Sequence, residues 1–301
     1  MKNEKYWNAA AVKPATLRMP ISESNSTRLN LVESGMADMM LAPPTADEKR
    51  LAEAKMLKIY PQLGTSYYVF NVQKAPFNNK EVRKAFALAF ERQNLLQYVV
   101  RGGKTPAYAF VSPAIFTNGK DFRAEGGNLI KEDVTAAKAA LAKAYKGEPV
   151  TILYSNTEMN RMIAEAVQAM WKKNLGITVE LMNQEKKVFF DSREHGNYQV
   201  ACADWIADFA DPINYLQVFS DEANDAQYHN PAYNKLIQKI LQEADADKRI
   251  ALMHQAEKML FDDYVLIPIY YTTNTAVLNP QLQGITVLPM GPIDFINAYR
   301  K

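Results

Sequence analysis

The stretch 204–216 reads DWIADFADPINYL and sets three carboxylates, Asp204, Asp208 and Asp211, among the rings of Trp205 and Phe209. A carboxylate beside an aromatic ring suits a cationic amine. The acid supplies a charge-assisted hydrogen bond and the ring supplies a π face. Local structure asks different things of the three acids. Asp211 precedes Pro212, the arrangement of a helix cap followed by proline at the first helical position, so its role is structural. Asp204 reads as solvated loop. Asp208 has no such local duty and is the candidate ligand-binding carboxylate, with a loop hydrogen bond as the alternative.

Motifs for other chemistry are absent. The chain has no G-x-S-x-G elbow, no H-E-x-x-H and no G-x-G-x-x-G, and Gly102–Lys104 lacks the spacing of a phosphate-cradling loop. The three histidines, His195, His229 and His254, are scattered and read as solvated or capping. The single cysteine, Cys202, forms neither an intrachain disulfide nor a cysteine-based zinc site, and inside a predicted strand it reads as an inert packed thiol. Asp262 and Asp263 read as surface at a helix end. No metal or cofactor is implied. Thirty-five basic and 33 acidic side chains leave a charge of +2, which gives no electrostatic footprint for nucleic acid. No apolar run approaches the roughly 18 residues of a membrane-spanning helix. The start, MKNEKYWNAA, lacks the apolar core of a signal peptide.

The elements that must position the acidic loop follow an α/β pattern. Helix 131–145, strand 150–155, helix 157–176, strand 177–182, a helix ending at Gly196 and strand 198–203 alternate as β-α-β-α-β units, the pattern of a parallel sheet with right-handed crossovers. Ligands of such sheets bind beyond the carboxyl ends of the strands. Those ends are the loops after Ser155, Met182 and Ala203, and the third is the acidic, aromatic stretch. Upstream, strands are expected at 16–22 and 37–43 and helices at 24–35 and 44–55. A strand–turn–helix follows over 67–92, with Arg83, Lys84 and Arg92 as a solvated face. Residues 101–130 read as a long loop. Helices 231–243 and 245–262 precede strands 265–273 and 275–280.

Residues 67–92, YYVFNVQKAPFNNKEVRKAFALAFER, resemble the large solute-binding proteins of peptide ABC importers (family 5). In that family a strand ending in Phe-Asn leads to Pro-Phe and then a helix with an acid-Arg end. GKTPAYAFVSPAI, MWKKNLGITVELMNQE, FFDSREHGNYQVACADWIADFADP and LIPIYYTTNTAVL are similar, in order and spacing, to the oligopeptide- and murein-peptide-binding branch. The resemblance covers nearly the whole chain. It implies an α/β, periplasmic-binding-protein-like lobe with a mixed or parallel sheet flanked by helices, plus an incomplete second lobe, the two closing over an extended peptide. Residues 72–270 would be the complete ligand-binding lobe, and 1–71 with 271–301 a partial first lobe, because family members are considerably longer at the amino end.

By the same resemblance Asp208 matches the aspartate that receives a peptide's amino terminus, and Trp205 a tryptophan of the same groove. Arg193 matches an arginine that can meet the carboxy terminus; a surface arginine paired with Glu194 or Asp191 is the alternative. Asn160 falls near a second carboxylate partner, and Phe209 and Tyr271 complete the expected set. The chain departs from the branch in two places. Cys202 stands where the oligopeptide binders place an arginine, and Lys186 where they place a tryptophan, so one carboxylate anchor is lost or moved to Lys186. The implied partners are a short peptide and the permease subunits of an importer, in the periplasm or at the cell surface. The implied role is transport, not catalysis, with a non-binding scaffold as the alternative for a shortened chain.

Overall fold

The structure, a computed structural model, describes residues 1–220 and 224–301. The chain forms two units: a larger one of residues 63–271 and a smaller one of residues 1–62 and 272–301. The elements used below, in chain order, are α1 (Asn25–Glu33), β1 (Met39–Leu41), β2 (Leu57–Phe70), α2 (Lys80–Leu88), α3 (Val134–Ala144), β3 (Thr151–Ser155), α4 (Glu158–Leu175), β4 (Glu180–Gln184), α5 (Lys186–Glu194), β5 (Val200–Ile206), α6 (Pro231–Gln242), α7 (Ala246–Asp262) and β6 (Leu266–Leu278). The chain passes between the units at 62/63 and 271/272, each time within a long strand. The first crossing comes earlier than the expected 71/72, because Tyr67, Tyr68, Val69 and Phe70 are buried in the larger unit's core.

In the smaller unit β1 pairs antiparallel with the end of β6, Met39 opposite Leu278 and Leu41 opposite Ala276. The amino- and carboxy-terminal segments are also tied by Lys13 N–H to the Ile296 carbonyl at 2.8 Å and by the Arg300–Asp38 ion pair at 2.6 Å. Its core is small: Leu29, Val32, Met40, Leu51 and Val277. The strand expected at 16–22 does not form. Pro20 removes a ladder donor there, and Met19 and Ile21 stand exposed.

In the larger unit the strand order is β6–β2–β5–β3–β4. The parallel part is β4–β3–β5, as the alternating pattern requires; β2 runs antiparallel to β5, from Gly64 opposite Ile206 to Phe70 opposite Val200. The sheet is therefore mixed. Side chains start the helices that flank it: Thr157 Oγ1 accepts the Asn160 N–H of α4, Asp245 that of Lys248 in α7, and Asn230 those of Ala232 and Tyr233 before Pro231 opens α6. Gly176, at φ +74°, closes α4 in the left-handed conformation that glycine adopts without a Cβ clash. Trp171 of α4 is fully buried and donates through Nε1 to the Phe86 carbonyl at 3.1 Å.

Three sequence expectations need correction. Arg83 and Arg92 are buried, not solvated. Arg83 donates to the carbonyls of Phe77 and Asp263, and Arg92 to those of Pro268 and Phe90. Backbone acceptors at strand and helix ends replace water there, and burial pushes the Arg92 guanidinium down to about 10. Asp263 is no idle surface acid: it accepts the Tyr228 hydroxyl at 2.6 Å and pairs with Lys80 at 3.1 Å. His254 is half-buried, its ring stacked on Phe122 with centroids 3.9 Å apart. The Asn71 of the strand–turn–helix motif has a positional role. Its amide donates to the Gly196 carbonyl at 2.9 Å and so fixes the turn that feeds β5.

Candidate functional site

The parallel strands β3, β4 and β5 deliver their carboxyl ends to one edge of the sheet, and most of the candidate residues lie just beyond it. Asn160 is in the first turn of α4 after β3, Lys186 opens α5 after β4, and Asp208 and Phe209 follow β5. β5 is longer than its sequence suggests. It runs to Ile206, so Asp204 and Trp205 are strand residues, and Asp204 lies opposite Ser66 of β2.

Asn214 organises the loop after β5. It is buried, and its Oδ1 accepts both the Trp205 Nε1–H and the Asp208 backbone N–H, each at 3.1 Å. Asp211 accepts the Ile213 N–H at 2.9 Å, the expected cap, and binds the Arg249 guanidinium of α7 through both oxygens, at 2.8 and 3.0 Å. One acid is thus spent on local structure. The Asp208 side chain is exposed and its carboxylate has no partner among the described residues. Phe209 is exposed beside it.

Below this loop lies a pocket of about 380 Å³ lined by Tyr67, Phe190, Arg193, Glu194, Asp204, Trp205, Val218, Phe219 and Asp225. Two of the expected residues, Trp205 and Arg193, meet in it. The Arg193 guanidinium forms an ion pair with Asp225 and lies over the Phe189 and Phe190 rings, 5.5 and 5.9 Å from their centroids. Burial works against the charged form, but attraction from Asp225 and Tyr67 outweighs it and raises the guanidinium's affinity for its proton. Its partner is therefore neither Glu194 nor Asp191 but an acid 32 positions away, which no local spacing announces. Tyr198 donates its hydroxyl to the Asp225 backbone carbonyl and fixes that acid.

Asp204, expected as solvated loop, is instead a strand residue and a wall of the pocket. It is open to the pocket's water but hemmed in by protein. That desolvation raises its carboxyl above the usual range, against opposing pulls from the Ser66 hydroxyl, Arg193 and Lys104. Asn160 is engaged locally, donating to Ser155 Oγ at 2.8 Å, and Lys186 is exposed. Tyr271 is not part of the pocket's lining: it is buried, and its hydroxyl donates to the Ala109 carbonyl at 3.3 Å. Burial pushes the Cys202 thiol up to about 11, so it stays neutral, in keeping with a packed strand cysteine. Among the described residues no group of acids, histidines and cysteine is arranged to hold a metal ion, and no helix is long and apolar enough to cross a membrane.

The model of the bacterial extracellular solute-binding proteins, family 5, matches residues 1–227. The dipeptide-binding protein DppE of Bacillus subtilis is 35% identical over 97% of this chain and 55% of its own length. The periplasmic oligopeptide-binding protein OppA of Salmonella typhimurium is 37% identical over 95% of this chain and 54% of its own. Among solved structures, the substrate-binding domain of an oligopeptide ABC transporter from Bacillus anthracis superposes with a TM-score of 0.84 at 28% identity. That match covers 99% of this chain and 61% of the other. The chain thus spans about half the length of the curated relatives it matches.

Proposed function

The chain belongs to the bacterial extracellular solute-binding proteins of family 5, and from that premise we propose that it is the peptide-binding part of an ABC peptide importer. The relatives named for dipeptide and oligopeptide binding support this reading. The observation that carries it is Asp208: an exposed carboxylate without a partner among the described residues, on a loop at the edge of the parallel strands that a buried Asn214 ties to Trp205, a wall of the aromatic pocket. That placement suits the α-amino group of an extended peptide, with Trp205 and Phe209 as its aromatic surroundings. The larger unit is then the lobe that holds the amino end, and the smaller unit is part of the partner lobe. The role is capture and delivery to permease subunits outside the cytoplasmic membrane, not catalysis.

Titration calorimetry with trialanine and its N-acetyl form tests the reading. We expect measurable binding of the free peptide and loss of most of it on acetylation. No heat with any di-, tri- or tetrapeptide would leave the shorter-than-family chain as a non-binding module.

For the carboxylate end, Arg193 remains the proposed anchor, with Lys186 and Asn160 just beyond the carboxyl ends of β4 and β3. Asp225 already occupies the guanidinium, so a ligand carboxylate has to compete with it. Amidating the peptide's carboxylate should therefore weaken binding only slightly in the parent and roughly tenfold in Asp225→Asn, the worth of a charge-assisted bond. In Arg193→Met amidation should be harmless. Equal tolerance of amidation by all three proteins, measured by calorimetry, would remove Arg193 from the site.

A further inference from the structure

We propose that the pocket walled by Asp204 and Trp205 selects a basic side chain of the bound peptide, the ammonium of a lysine or the guanidinium of an arginine. The proposal rests on the peptide-binding reading and adds a specificity to it.

Among the described residues, four charged side chains line the pocket. Arg193 and Asp225 neutralise each other as an ion pair. Asp204 and Glu194 remain, so the free charge on the wall is negative. Lys104 pulls on Asp204 from outside the lining, and it is the weakest of the influences on that carboxylate. The rest of the wall is largely aromatic: Tyr67, Trp205, Phe190 and Phe219. Aromatic faces and an anion together are the surroundings in which a cation is bound best, since each ring adds its π face to the carboxylate's charge.

The alternatives fare worse on the same wall. An acidic side chain meets Asp204 and Glu194 with its own sign. An apolar side chain gains contact with the rings but strips water from the Asp204 carboxylate without replacing its hydrogen bonds, which costs more than the contact returns. A basic side chain satisfies both: its methylenes lie on the rings and its head meets the carboxylate. The volume of about 380 Å³ admits a long side chain and leaves room for water. The position of Asp204 is firm, because it belongs to a paired strand with Ser66 opposite.

The test compares Lys-Ala-Ala, Ala-Lys-Ala and Ala-Ala-Lys with the same peptides carrying norleucine, which keeps the methylenes and lacks the charge. Calorimetry on the full chain should show one lysine peptide binding about tenfold tighter than its norleucine counterpart. In Asp204→Asn that ratio should fall to about one. Lysine and norleucine peptides that bind alike at every position would overturn the proposal while leaving peptide binding intact. So would a lysine preference that survives in Asp204→Asn. Sensitivity to N-acetylation that disappears in Asp204→Asn in place of the lysine preference would also overturn it, because Asp204 would then hold the α-amino group. Binding of none of the six peptides would overturn the peptide-binding reading and the proposal with it.

Discussion

Glu257→Gln is expected to lower the stability of the larger unit by about 3–5 kcal/mol, the usual loss when one partner of a buried ion pair is removed. Glu257 of α7 is fully buried. Its Oε1 accepts the N–H groups of Phe110 and Val111 at 2.9 and 2.8 Å, and both its oxygens meet the Arg123 guanidinium at 2.8 Å. Glutamine keeps the shape and most of the volume. It removes the charge, sets an amide N–H₂ against a guanidinium N–H₂, and leaves the buried Arg123 without its counter-ion. Arg123→Met leaves the opposite charge unpaired and should cost about as much. Phe110 packs edge-on against Tyr67 and Phe219, two walls of the pocket, with ring centroids 5.0 and 5.3 Å apart, so damage to this carboxylate loosens the site as well. Urea unfolding followed by tryptophan emission measures it, since Trp171 and Trp205 both lie in the larger unit. A loss below about 1 kcal/mol, the value of an exposed pair, would show that the network is not the anchor its geometry describes.

The fold was legible where local rules govern. Alternating strand and helix patterns gave β3–α4–β4–α5–β5 in order, and the caps at Thr157 and Gly176 stand where their residue types place them. Asp211 was legible too, because a cap is decided by the next two residues. What escaped were pairings across long stretches of chain. Arg193 finds Asp225, Arg123 finds Glu257, and Arg92 finds the Pro268 carbonyl only because the sheet and helices bring them together. A basic residue at helical spacing looks solvated until its distant acceptor is known. Asp204 was missed for a related reason. Its strand runs past the apolar segment that marks it, because Thr65 and Ser66 of β2 supply a partner ladder as far as Trp205 and Asp204. Alternation against that ladder was the one signal that could have placed it on a strand. Asn214 carried none, since an Asn in a short helix is unremarkable until two donors converge on it.

Asp208→Ala is expected to weaken peptide binding by about two orders of magnitude, roughly 2.7 kcal/mol. The size follows from where the pair would form. An ammonium on a fully exposed acid is worth under about 1 kcal/mol, and losing a partner from a fully buried pair costs about 3–5 kcal/mol. Asp208 is exposed in this structure, and the peptide itself would cover it, between those limits. The loop should survive the substitution. Asn214 holds it through the Asp208 backbone N–H and the Trp205 indole, neither of which needs the carboxylate. Asp211→Ala should behave in the opposite way. It loses the cap on Ile213 and both contacts with Arg249, so stability falls by about 1–2 kcal/mol while affinity changes little. N-acetylation of the ligand supplies the decisive comparison. If Asp208 holds the α-amino group, acetylation and Asp208→Ala remove one and the same interaction, so their effects do not add. The acetyl peptide should then bind about a hundredfold more weakly than the free peptide to the parent, and equally well or badly to Asp208→Ala. Equal, small losses from Asp208→Ala and Asp211→Ala, or an acetylation penalty that persists in Asp208→Ala, would move the amine site elsewhere.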